Sequence, residues 1–165
     1  MTNPSRQAND RLFLQQAIDQ AVESVHSGGG PFGAVVVADG QVIACAGNQV
    51  TLTCDPTAHA EVQAIRLAAK ARAHPHLPDV TLYASCEPCP MCLAAAHWAH
   101  IPRIVYAAPQ EMANQAGFAD GNIAEQLYGQ THPVRAAELG LQHLELEGAY
   151  APFQAWLHKH DRKAY

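Results

Sequence analysis

The chain has 165 residues, 48% of them apolar and 15% charged, with a net charge of −5 when its histidines are neutral. That balance excludes an intrinsically disordered chain, which needs the opposite proportions, and it provides no basic footprint for neutralising phosphates. The polar N-terminus has no signal-peptide core and no apolar run approaches the ~20 residues that span a bilayer, so one cytoplasmic domain over residues 1–165 is expected, without membrane or nucleic-acid partners.

Between Asp10 and His26, Leu12, Leu14, Ala17, Ile18, Ala21, Val22 and Val25 recur at mostly helical spacing. Gly28-Gly29-Gly30 then ends the helix. The β-branched run Phe32–Val37 and the segment Val42–Cys45 flank Asp39-Gly40, a strong two-residue hairpin signal, and should pair as antiparallel strands. An Ala-rich helix is predicted from His59 to Ala73, closed by Pro75 and Pro78. A strand at Val80–Tyr83, a helix from Pro88 to Trp98 and a strand at Ile104–Tyr106 follow. Beyond them the pattern is helical or looped until Leu141–Leu146, whose alternation predicts an edge strand, and a last helix covers Pro152–His160. This order is an α/β layer pattern, helices packed on a mixed sheet.

The chemistry concentrates in His59-Ala60-Glu61 and Pro88-Cys89-Pro90-Met91-Cys92. Two cysteines three apart at a helix start can aim both sulfurs at one ion, and the helix N-terminus favours their thiolate form. His59 adds a nitrogen from the start of the preceding helix. Three protein ligands leave one tetrahedral position open, as a catalytic zinc requires and a structural zinc does not. Two thiolates and a neutral imidazole suit zinc better than iron, one Zn²⁺ per subunit. Glu61 lies close enough to take a proton from a water there and pass it on, without itself being a ligand. Cys86, three residues before Cys89, raises the alternative of a closed Cys₃His structural site, which would leave Glu61 without a task. Cys45 and Cys54 read as buried small hydrophobes or idle thiols.

Three stretches, Pro31–Val37, Asp55–Val62 and Ser85–Cys92, resemble the cytidine-deaminase superfamily. Within it, Ala116-Gly117-Phe118-Ala119-Asp120, Pro152-Phe153-Gln154-Ala155-Trp156 and the final Tyr165 are similar to the bacterial guanine deaminases, so the resemblance spans roughly residues 10–165. It implies a cytidine-deaminase-like α/β fold, three layers with a mixed five-stranded sheet flanked by helices. It also implies a homodimer in which residues 150–165 are swapped and help close the partner subunit's active site. By the same resemblance His59, Cys89 and Cys92 hold the metal, and Glu61 and Asp120 shuttle protons. Asn48 hydrogen-bonds the base, Ala60 contributes to substrate binding, Phe32 and Trp98 supply aromatic walls, and Tyr165 covers the pocket. One departure is Ala119, where the family segment often carries a second acidic residue. The expected substrate is a small purine base: guanine, hydrolysed to xanthine and ammonia. A small planar base offers little binding surface and calls for a closed pocket, whereas a tRNA deaminase needs an open mouth and attraction for a polyanion. The same chemistry on another amino-purine, a nucleoside such as guanosine or cytidine, a triazine or tRNA adenosine is the enzyme alternative. A zinc-stapled binding module is the non-enzyme alternative, and the presence of Glu61 speaks against it.

Overall fold

A computed structural model describes residues 4–118, 120–128, 140–163 and 165. The chain begins with α1 (Pro4–His26), which starts six residues before the expected Asp10. Its opening residues Ser5–Asn9 are exposed and therefore carry no apolar period for a sequence pattern to register. Strands β1 (Gly33–Ala38) and β2 (Gln41–Gly47) form the expected antiparallel hairpin. Asp39 and Gly40 both adopt positive φ, 49° and 74°, the conformation that a tight two-residue turn demands. After the one-turn helix α2 (Val50–Thr53) come α3 (Ala60–Arg72), β3 (Val80–Cys86), α4 (Pro90–Trp98) and β4 (Arg103–Ala108). The remainder comprises α5 (Gln110–Gln115), α6 (Asp120–Tyr128), β5 (Leu141–His143) and α7 (Ala151–His158).

The five strands form one mixed sheet in the order β2-β1-β3-β4-β5. β1 runs antiparallel to both β2 and β3, while β3, β4 and β5 are parallel. β1, between β2 and β3, is buried along its whole length, because both faces of the sheet are covered. Ala34, Val36 and Ala38 point to a core shared with Ala60, Ala64, Ala68 and Leu93 of α3 and α4. Val35 and Val37 point to the opposite core, with Leu14 and Ile18 of α1 and Phe153 and Trp156 of α7. The expected cytidine-deaminase-like three-layer architecture is thus present. β5 stops at His143, although Leu144 and Leu146 continue to pack on the core beyond it.

The sheet ends that carry the chemistry are set by this topology. β3 and β4 leave the sheet in the same direction, so the loop after Cys86 delivers Cys89 to the start of α4. At the other end of these strands, Asp10 of α1 receives hydrogen bonds from Arg103 Nη1 (2.8 Å), Arg103 Nη2 (2.7 Å) and the Tyr83 hydroxyl (2.7 Å). Burial alone would raise the Asp10 pKa. The hydrogen bonds from Arg103 and Tyr83, with the Arg103 charge, overcome it and hold the carboxyl below its usual range.

Candidate active site

His59 and Cys89 are the N-cap residues of α3 and α4, each in extended conformation, and Pro90 fixes the first turn of α4. One turn on, Cys92 is fully buried. The two helix starts face one another and close a triangle of donors. His59 Nδ1 lies 3.6 Å from Cys89 Sγ and 3.6 Å from Cys92 Sγ, and the two sulfurs are 3.6 Å apart. A tetrahedral zinc with Zn–S of about 2.3 Å and Zn–N of about 2.0–2.1 Å requires edges of roughly 3.5–3.8 Å. The triangle therefore fits zinc without rearrangement. Among the described residues these three are the only group of His, Cys, Asp or Glu donors clustered closely enough for one ion.

The electrostatics suit a dication. The hydrogen bond between the Cys89 and Cys92 sulfurs holds Cys89 down at about 4, with help from His59 and against burial. The same bond, with burial and the nearby Glu61 charge, pushes Cys92 well above the thiol range. A metal binds both sulfurs as thiolates, so its binding displaces thiol protons. Glu61, in the first turn of α3, is 7% exposed. Burial first, then the negative Cys89, pushes it up to about 7, while His59 opposes the shift. A carboxyl so placed can exchange protons near neutrality.

Cys86 is not a fourth ligand. It packs on the α1 side of the sheet with Val105, Ala107 and Ala113, whereas Cys89 and Cys92 cluster with Val62. The closed Cys₃His alternative fails on that geometry. Cys45 and Cys54 are exposed, so the buried-hydrophobe expectation for them is corrected.

A second group of residues lies next to this centre, because the Gln49 N–H donates to the Ala58 carbonyl (2.9 Å) and ties the end of β2 to the His59 segment. Asn48 is 1% exposed and held on three sides. Its N–H donates to the Phe32 carbonyl (3.0 Å), its carbonyl accepts from Ser24 Oγ (3.1 Å), and its Oδ1 accepts from the Val50 N–H (3.1 Å). Its Nδ2 has no hydrogen-bond partner among the described residues. A buried donor left unpaired costs about 1–3 kcal/mol, which the fold tolerates where a ligand supplies the acceptor.

Tyr165 reaches back to this point. A methyl group built on Gly30 would overlap the Tyr165 hydroxyl and stand 2.9 Å from its Cζ and 3.1 Å from Asn48 Oδ1. The Tyr165 ring lies 5.6 Å from that of Phe118 and 6.4 Å from that of Trp156. Phe32 meets Phe118 edge-on at 4.9 Å and Phe153 at 5.7 Å, so the aromatic wall runs from β1 to the C-terminal residues.

Of the expected site residues, His59, Cys89 and Cys92 converge with Glu61 beside them, while Tyr165 and Asn48 approach one another at Gly30 and the Asn48 N–H binds the Phe32 carbonyl. Ala60 is fully buried at the head of α3, its side chain in the sheet core. Trp98, expected as an aromatic wall, lies six residues beyond Cys92, about 9 Å along the helix, and is 80% exposed in the single chain. Asp120 is the first residue of α6, and its side chain lies outside the described part of the structure, as does Ala119. Sequence reasoning missed Phe118 and Trp156 as supports of Tyr165, and missed Gly30. Only Gly28 of the three consecutive glycines has positive φ and serves the helix stop, so Gly29 and Gly30 needed another explanation.

A three-ligand metal centre with a buried carboxyl beside it, at the ends of helices on a mixed sheet, defines a metal-dependent hydrolase. The chain belongs to the family of the cytidine and deoxycytidylate deaminase zinc-binding region, which matches residues 7–108. It is 44% identical over 158 residues to guanine deaminase of Bacillus subtilis, covering 95% of this chain and 99% of that one. The X-ray structure of guanine deaminase from Bacillus subtilis superposes with a TM-score of 0.70 at 42% identity, over 99% of both chains. The chain is 43% identical over 96 residues to a tRNA-specific adenosine deaminase of Agrobacterium fabrum, covering 58% of this chain and 63% of that protein. No helix among the described residues is long and apolar enough to cross a membrane.

Proposed function

We propose that the protein hydrolyses guanine to xanthine and ammonia. Zinc, held by His59, Cys89 and Cys92, supplies the Lewis acidity that brings water's pKa towards about 7. The chain's own groups then carry the reaction. Glu61 takes a proton from the attacking water as its oxygen bonds to C2 of the base. It returns that proton to the ring nitrogen, then moves the proton of the new C2 hydroxyl to the amino group, which leaves as ammonia as the C2–N bond breaks and the C2 carbonyl forms. Asn48 donates through Nδ2 to an acceptor on the base and fixes its orientation, Phe32 offers an aromatic face, and the head of α3 at Ala60 borders the reacting centre. Asp120 is proposed as a second proton carrier.

The metal centre is common to deaminases of bases, nucleosides and tRNA, so it does not choose among substrates. The observation that carries the choice is the meeting of Tyr165 with Asn48 at Gly30. A pocket ended by an aromatic side chain suits a free base better than a nucleoside or a polynucleotide. The likeness to Bacillus subtilis guanine deaminase extends through this C-terminal region, whereas the likeness to the Agrobacterium fabrum tRNA deaminase covers 58% of the chain.

We further propose a cytoplasmic homodimer, in keeping with a thiol pair that must stay reduced to bind metal. Trp98, Ile123 and Leu127, on the neighbouring helices α4 and α6, are 80%, 52% and 65% exposed and offer the apolar surface that a second copy would cover. Residues 150–165 are proposed to exchange between the subunits, so that the Tyr165 contact forms across the dimer. Ammonia release with guanine, guanosine, adenine, cytosine and cytidine tests the substrate. Turnover confined to guanine is expected. Turnover of a nucleoside at a comparable rate would refute the closed pocket.

A further inference from the structure

Gly30 is buried, and its φ lies outside the left-handed region, so its backbone accepts any residue. What it lacks is room. Two of the three atoms nearest an added methyl belong to the Tyr165 phenol and the third is Asn48 Oδ1; none is backbone. The group that must yield most is the far end of the Tyr165 side chain, while Asn48 Oδ1 at 3.1 Å has only to give slightly. Its neighbours differ in kind. Gly29 would drive a methyl into the Asn48 carbonyl, and Gly33 would drive one into the backbone of α1 at Ala17 and Ala21. Gly30 alone among the three is shaped to Tyr165.

We propose that Gly30 is the specificity-determining seat of the Tyr165 lid. The absent side chain lets the phenol hydroxyl settle beside the Asn48 amide, while Phe118 and Trp156 hold the ring from the side. With the seat filled by a methyl, Tyr165 swings out, the end of the pocket opens, and two things change together. The base loses the closed environment in which Glu61 and Asn48 act on it, and larger ring compounds gain entry. In the structure Tyr165 and Gly30 belong to one chain; the exchange proposed above would bring the same pair together from two. Gly30 serves as the seat in either arrangement.

This inference deepens the guanine reading and rests on it for its kinetic arm. The test uses the full chain with zinc bound, as Gly30→Ala, Tyr165→Ala and the double variant. Each single change is expected to lower kcat/KM for guanine on the order of ten- to a hundred-fold, the loss that a slightly misplaced substrate produces. The double variant is expected to be no worse than the poorer single, since both changes undo one contact. In all three the ratio of guanine to guanosine turnover is expected to fall at least about tenfold, with Tm unchanged in Gly30→Ala. A second readout, hydrogen exchange of residues 150–163, needs no substrate. Gly30→Ala is expected to raise it to the level of Tyr165→Ala. Losses that multiply in the double variant, or wild-type exchange in Gly30→Ala, would overturn the seat. A wild-type protein inert towards guanine that still shows the exchange effect would overturn the substrate and keep the seat.

Discussion

Replacing Asp10 with alanine removes the carboxylate that ties α1 to β3 and β4. The guanidinium of Arg103 then stands only 13% exposed with neither of its two bonds to Asp10, at 2.8 and 2.7 Å, and the Tyr83 hydroxyl loses its acceptor. Removing one partner of a buried pair costs about 3–5 kcal/mol. A chain of this size shifts its Tm by about 3 °C for each kcal/mol, so a fall of about 9–15 °C is expected in a thermal melt at pH 7. The effect has a pH signature. Asp10 is held below its ordinary pKa in the folded protein, so its contribution is complete above the unfolded value of about 3.9 and fades as pH falls through the lower folded value. The wild-type and Asp10→Ala stability curves should therefore run apart near neutrality and approach one another below about pH 4. The network sits at the opposite end of β3 from Cys86, so kcat at a temperature below both melting transitions should be unchanged. A Tm loss under about 3 °C at pH 7, or a gap between the curves that widens in acid, would refute the reasoning.

Other predictions bear on the site. Glu61→Gln keeps the shape but not the proton carrier, and kcat should fall about 10²–10⁴-fold while zinc content, measured by mass spectrometry, stays at the wild-type level. Loss of zinc in that variant would mean that Glu61 is a ligand. Asn48→Asp retains the acceptor for the Val50 N–H but replaces the free donor with an acceptor, so guanine turnover should fall by at least about tenfold; a wild-type KM and kcat would remove Asn48 from the pocket. A strong chelator should abolish activity and lower Tm, and added zinc should restore both, since an ion bound at a thousand times its Kd contributes about 4 kcal/mol. Trp98→Glu should shift the protein towards monomer in size-exclusion chromatography with light scattering; an unchanged mass would place the dimer surface elsewhere.

The metal centre was readable from the linear chain because its parts are local. Cys89 and Cys92 occupy one helical turn, His59 and Glu61 are two residues apart, and each pair sits at a helix start that the pattern itself announces. The hairpin was equally local, since Asp39-Gly40 carries its own conformational preference. The failures have a common cause. Helix α2 is one turn held by a side chain, Asn48 Oδ1 to the Val50 N–H, and too short for any periodicity to register. Gly30 and Tyr165 stand 135 positions apart in the chain, and nothing in either neighbourhood announces that one needs the other's missing side chain. Local spacing thus announces the chemistry that the family shares, while the contacts that close the pocket around one substrate are long-range and emerge only when the sheet and its helices are assembled. Substrate choice in this fold is accordingly expected to change through residues such as Gly30 and Tyr165, with His59, Glu61, Cys89 and Cys92 left as they are.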